Sequence, residues 1–116
     1  MKNKITAALF LLLMILPVTS FADLINCGQH SIESISIQGD RDDNSVDANN
    51  AFLYINGDAC SGTNLFYIEN SNPNYNAILS ILMTAYSMGK DIELYVNSSK
   101  TIPSATQISI VVLRNR

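Results

Sequence analysis

One uncharged segment between two β-rich halves most constrains the fold of this chain. No charged residue lies between Glu69 and Lys90. Pro73 suits the first position of a helix, Asn72 can cap it, and Gly89 suits the left-handed residue that ends one. The sequence therefore predicts a single helix over residues 73–89.

The predicted helix is apolar around most of its circumference. Its polar residues occupy one narrow stripe: Asn76, Ser80, Thr84 and Ser87. A helix on one small sheet needs only about 100° of apolar face. Because the apolar surface of this helix is wider than one sheet can cover, we predict either a sheet that wraps the helix or contact with other copies of the chain. For contact between copies, the candidates are Ile78, Leu82, Met83 and Tyr86.

The remaining segments alternate apolar and polar residues with the period of β-strands. We predict five strands, at residues 31–38, 51–55, 65–69, 92–96 and 107–113. The polar segment 39–50 and the turn-rich segment 97–105 are predicted loops, and Asn56-Gly57-Asp58 is a predicted turn. This order predicts a small, mainly β domain with one helix.

Residues 1–22 have the features of a secretory signal peptide. Lys2 and Lys4 precede the apolar run 7–16, and a small-x-small site ends at Ala22. Cleavage there leaves residues 23–116 as one domain, secreted or periplasmic and without a membrane anchor, because no later run reaches 18 apolar residues. Lipid attachment at Cys27 is a less favoured alternative, because Asn26 is not the small residue that such a site prefers.

Charge and cysteine content restrict the partners. The chain has seven Lys and Arg against ten Asp and Glu, and two of the seven lie in the predicted leader. The resulting acidic domain argues against nucleic-acid binding. Two cysteines in an exported domain most simply pair, so we predict a Cys27–Cys60 disulfide.

The acidic loop is the one candidate cation site. Asp40, Asp42 and Asn44 match the first ligands of an EF-hand, but Ser45 replaces the turn glycine and Ala51 the bidentate glutamate. We therefore predict a solvated loop, no metal and no cofactor, with calcium as the alternative.

Four segments of this chain carry a likeness to a known family. They are Phe-Leu-Tyr-Ile-Asn-Gly at 52–57, Ala-Cys-Ser at 59–61, Ala-Tyr at 85–86 and Gly-Lys-Asp-Ile-Glu-Leu-Tyr at 89–95. In this order they resemble the B subunits of bacterial AB5 toxins, most of all the subtilase-cytotoxin and pertussis-like, typhoid-type branch. The resemblance implies a five-stranded OB-fold barrel of order β-β-β-α-β-β.

The resemblance also implies a function, which is the binding of host cell-surface glycans by a secreted homopentamer with a catalytic A subunit as a further partner. Ser31 occupies the place of a serine that contacts the sugar carboxylate, and His30 lies beside it. Phe52, Tyr54 and Tyr95 are outward aromatics that could stack on a sugar, with ordinary cross-strand packing as the alternative. Val96 replaces a tyrosine that contacts sugar in that branch.

Two other functional classes compete with glycan binding. A periplasmic or secreted interaction or inhibitor module needs only the fold, and it remains the alternative. A hydrolase would need His30 together with Ser31 or Ser34. Adjacent strand residues point to opposite faces and no nucleophile-elbow sequence occurs, so we predict no enzymatic activity.

Overall fold

The computed structural model describes residues 24–115, and it is mainly β with one helix, as predicted. The elements are β1 (Leu24–His30), β2 (Ile32–Ile37), β3 (Asn50–Ile55), β4 (Leu65–Glu69), α1 (Tyr75–Met88), β5 (Ile92–Ile102) and β6 (Ala105–Val112). The predicted signal peptide, residues 1–22, lies outside the described residues.

The strands form one sheet in the order β1-β5-β6-β4-β3-β2. Neighbours are antiparallel except β4 and β6, which are parallel. β1 and β2 are the two edges of this order, yet only Ser31 separates them along the chain. One residue spans at most about 3.6 Å. The sheet must therefore curl until its edges meet at Ser31, although it remains open in its hydrogen bonding.

The concave side of the sheet and one face of α1 enclose the main core. Its largest fully buried side chains are Phe66, Leu53, Ile55, Leu82, Ile92, Leu94, Ile108 and Val96. A second, smaller cluster joins Phe52, Tyr67 and Ala105. The apolar positions of the predicted strands account for most of both clusters.

Six strands occur where five were predicted, because β1 was missed. Polar Asn26 and flexible Gly28 interrupt its alternation. The pairing of β1 with β5 shifts register between these two residues. Gly28 adopts a φ of 76°, and its N–H donates to Asn26 Oδ1 at 2.8 Å. A bulge of this kind hides the period of two on which the sequence prediction relied.

Segment 97–105, predicted as a connection, is mostly strand. β5 continues to Ile102, and Thr101 and Ile102 pair with Thr106 and Ala105 of β6. The polar composition of the segment favoured a loop, but pairing with a neighbouring strand outweighed that local preference. The turn itself needs only two residues, of which Ser104 has a φ of 74°.

The helix ends as predicted and begins two residues later. Gly89 is the left-handed C-terminal residue, with a φ of 64°. Asn74, rather than Asn72, is the N-cap, and Pro73 precedes the helix. The Asn72 side chain instead accepts the Asn74 N–H at 2.9 Å, so it stabilises the turn that leads into α1.

Candidate functional site

The corner between β1 and β2 is held by His30, the residue before Ser31. Its ring nitrogen Nε2 lies 2.7 Å from the Cys27 carbonyl oxygen, and Nδ1 lies 2.8 Å from the Asn56 carbonyl oxygen. A neutral imidazole can donate to one of these oxygens, and a protonated ring can donate to both. Gly57 lies beside this ring, since a Cβ added there would be 3.4 Å from His30 Nδ1. His30 therefore ties β1 to the turn after β3.

Ser31 is exposed at this corner and is fixed by the same turn. The Asn56 side-chain amide donates to Ser31 Oγ at 2.8 Å, and the Asn56 backbone N–H donates to the Ser31 carbonyl oxygen at 3.0 Å. Because Oγ accepts the amide hydrogen, the hydroxyl keeps its own proton for another acceptor. The geometry leaves a positioned donor at the surface.

Two further links brace the turn that carries Asn56. The Cys27–Cys60 disulfide is present, as predicted, with its Cα atoms 5.6 Å apart. The Asn64 side chain donates to the Gly57 carbonyl oxygen at 3.0 Å. Covalent and hydrogen-bonded links therefore fix the corner without any ligand, which lowers the ordering cost of binding there.

The β3 aromatics divide into one packed ring and one exposed ring. Tyr54 is 40 % exposed beside a groove of about 220 Å³ that also involves Ser36 and Ser104. Phe52, expected to be outward, is only 7 % exposed and lies opposite Tyr67 of β4. Cross-strand packing therefore explains Phe52, and Tyr54 remains available at the surface.

Tyr95 belongs to a charged cluster on β5. Its hydroxyl donates to Glu93 Oε1 at 2.8 Å, and Arg114 Nε donates to Glu93 Oε2 at 2.9 Å. The Tyr95 hydrogen bond, followed by that from Arg114, lowers the pKa of Glu93 below its ordinary value. The same bond to the carboxylate raises the pKa of Tyr95.

The four residues predicted to bind glycan are spread over β1, β3, β5 and the corner at Ser31. His30 and Ser31 are adjacent at the corner. Tyr54 pairs with Ser34 of β2, whereas Tyr95 pairs with Asn26 of β1. The strand partners of the two tyrosines therefore lie on opposite sides of Ser31 along the chain.

The helix residues predicted to contact other copies of the chain differ in their exposure. Met83 and Tyr86 are each 53 % exposed, and Ile78 is half-buried. Leu82 is only 1 % exposed because it faces the domain's own core with Ala85, so the predicted contact surface loses this residue. An apolar groove of about 360 Å³ runs between the helix and β2, and Ile35, Ile37, Met83 and Tyr86 line it.

The acidic loop forms local contacts. Arg41 pairs with Asp43 at 2.5 Å, and this hydrogen bond lowers the pKa of Asp43. Asn49 donates to Asp40 Oδ1 at 3.5 Å. Within residues 24–115, no three His, Cys, Asp or Glu side chains are grouped to hold a metal ion. In the same residues, no helix is long and apolar enough to cross a membrane.

Three residues that shape these surfaces were missed from the sequence. Asn56 was assigned only to a turn, and Glu93 and Arg114 were given no role. The Asn-Gly turn signal locates Asn56 but does not reveal its bond to Ser31.

Compared with models of known protein families, with curated proteins and with solved structures, the chain matches none of them.

Proposed function

We propose that this chain is a secreted glycan-binding module of the B-subunit type and that it acts as a ring of identical copies. The Ser31 hydroxyl carries the proposal, because it is exposed, held by Asn56 and retains a proton to donate. A sugar carboxylate or hydroxyl is a matching acceptor. The braced corner around it is the type of rigid support that a small polar site needs.

The strand order supports the B-subunit resemblance. If β1 and β2 are two halves of one strand that bends at Ser31, the six strands become five, with α1 between the third and the fourth. That is the element order of the OB-fold barrel in those subunits. The missed first strand is thus consistent with the proposed fold.

The uncovered side of α1 supports the ring. Met83, Tyr86 and Met88 are each more than half exposed, although they are apolar or aromatic. Ile37, beside the same helix, is 56 % exposed. A contiguous patch of this kind on a small domain marks an interaction surface. A ring of copies would cover it.

A single Ser31 corner should bind weakly. A shallow polar site of this kind corresponds to a dissociation constant of about 1 mM, or roughly −4 kcal/mol. A ring that presents several corners to one cell surface gains its affinity from avidity. Binding should therefore be detected on dense glycan surfaces and be weak for free monosaccharides.

A glycan array probed with the intact, oxidised protein tests the proposal. We expect binding to sialylated or other glycans, and we expect Ser31→Ala to remove it without changing the oligomer. Ser99→Ala is the matched control, because Ser99 is also exposed but lies on β5 away from the corner and from Tyr54. Absence of binding to every glycan would favour the interaction or inhibitor module. Binding that survives Ser31→Ala would reject the site.

A further inference from the structure

A second polar cleft, of about 390 Å³, opens beyond the end of α1, where β1, β5 and β6 come together. Its lining includes Gln29, Lys90, Asp91, Glu93, Val112 and Arg114. We propose that this cleft binds a small polyhydroxylated ligand with one carboxylate, the chemistry of an acidic monosaccharide. The inference goes beyond the proposed function, because none of these residues belongs to the Ser31 corner.

The cleft concentrates cations in an acidic protein. Of the four Lys and Arg among residues 24–115, Lys90 and Arg114 line it, whereas Arg41 is paired with Asp43. Lys90 is half-buried, and it forms no ion pair within the described part of the chain. Its ammonium group therefore offers hydrogen-bond donors that no described carboxylate uses.

Glu93 fixes the second cation in place. Nε and Nη2 of Arg114 lie 2.9 and 2.7 Å from the same oxygen, Glu93 Oε2, and Tyr95 occupies Oε1. The Glu93 side chain is 13 % exposed and the Arg114 side chain 51 % exposed. Arg114 has five N–H donors, so this pairing leaves others for a ligand. A guanidinium held in this way is prepared to bind a carboxylate.

The other lining residues suit hydroxyl groups and a single negative charge. Gln29 and Asp91 are exposed; the Gln29 amide can donate to or accept from hydroxyls, and the Asp91 carboxylate can accept from them. Val112 supplies an apolar surface for the C–H face of a sugar ring. Asp91 and Glu93 balance the two cations, so a doubly charged phosphate is less favoured than a carboxylate. The cleft volume lies in the range of small-ligand sites.

Saturation-transfer-difference NMR titrations on the oxidised mature protein test the cleft with three probes: glucuronic acid, its methyl ester and glucose. We expect glucuronic acid to bind about tenfold or more tightly than the ester or glucose, since the ester lacks the charge that Lys90 and Arg114 contact. Rising salt should weaken the binding of the acid alone. Equal binding of acid and ester, or no binding of the acid, would overturn the proposal.

Opposite charge changes in the lining give a second test. Lys90→Gln should weaken glucuronic acid binding about tenfold, whereas Asp91→Asn, which removes a like charge but keeps an acceptor, should strengthen it severalfold. In a Ser31→Ala background, which removes any binding at the corner, Lys90→Gln should still weaken glucuronic acid binding about tenfold. If Ser31→Ala removes glucuronic acid binding while Lys90→Gln does not, the cleft proposal fails and the Ser31 proposal stands. A loss of glycan-array binding alone affects only the Ser31 proposal.

Discussion

Arg114 and Glu93, 21 positions apart in the chain, form an ion pair in which Arg114 Nη2 lies 2.7 Å from Glu93 Oε2. Tyr95, two residues beyond Glu93 on β5, donates its hydroxyl proton to the other carboxylate oxygen at 2.8 Å. Both groups favour the charged carboxylate, so the pKa of Glu93 falls while that of Tyr95 rises. This cluster therefore links the protonation of the β5 surface to the stability of the fold.

Acid should weaken the fold through Glu93. Because its folded-state pKa is lowered from 4.5, its contribution is present above about pH 4.5 and is lost as the pH falls through the folded value. Urea unfolding across this range should show Glu93→Gln less stable than the natural sequence at neutral pH and equally stable in strong acid. Arg114→Gln should reduce the same pH dependence. A stability difference that does not change with pH would contradict this account.

At high pH, ionisation of Tyr95 should weaken the fold. Its pKa is raised from 10.0, chiefly by the bond to Glu93, so its contribution persists below pH 10.0 and is lost as the pH rises through the folded value. In Glu93→Gln, tyrosinate absorbance should appear at lower pH than in the natural sequence. Tyr95→Phe, with and without Glu93→Gln, gives the absorbance of the other tyrosines, which is subtracted to leave the Tyr95 signal. An unchanged Tyr95 titration would show that the hydrogen bond is absent in solution.

The sequence predicted correctly those strand and helix ends that depend on residues a few positions apart. The bounds of β4 and the terminal Gly89 of α1 were correct, because alternation and a left-handed residue act within a few positions. β1 and the second half of β5 were missed. In β1 a bulge near Gly28 breaks the period, and in β5 polar residues are held as strand only by pairing with β6. Such pairing depends on residues distant in sequence.

The surface sites were also predictable only where their residues are neighbours in the chain. His30 and Ser31 are chain neighbours, and the sequence placed them together. The Glu93–Arg114 pair depends on the antiparallel register of β5 and β6, in which Glu93 lies opposite Val112. A register cannot be obtained from the two strands separately when both alternate apolar and polar residues. The cleft near Lys90 was therefore invisible before the sheet was known.

The disulfide should be a major source of stability. It closes a loop over a sequence separation of 33 residues, which in the chain-entropy model stabilises the fold by roughly 3 to 4 kcal/mol. The double variant Cys27→Ser, Cys60→Ser should lose about that free energy of unfolding in urea. Intact mass should show a chain that begins at Asp23 and has no alkylatable thiol before reduction. Thiols that react without reductant would contradict the pairing.

Phe52 and Tyr54 lie on one face of β3 and differ in burial. Phe52→Ala should cost about 3 to 5 kcal/mol, because the ring is buried against Tyr67. Tyr54→Ala should cost less than about 1 kcal/mol, since the ring is 40 % exposed. Urea unfolding measures both, and the glycan array then applies to the folded Tyr54→Ala protein. Lost binding would assign Tyr54 to the proposed glycan site, and retained binding would remove it from that site.

The last prediction concerns assembly and depends on which side of α1 a residue occupies. Met83 is 53 % exposed on the apolar side, Ser80 is exposed on the polar stripe, and Leu82 is buried in the domain core. The proposed ring covers Met83, so Met83→Asp would bury an unpaired carboxylate, which costs several kcal/mol. Light scattering should show a closed oligomer for the natural sequence, a lower mass for Met83→Asp and no change for Ser80→Asp. Leu82→Ala should instead lower the free energy of unfolding by about 2 to 5 kcal/mol through a core cavity. A monomeric natural protein would reject the ring and leave the exposed side of α1 to a different partner.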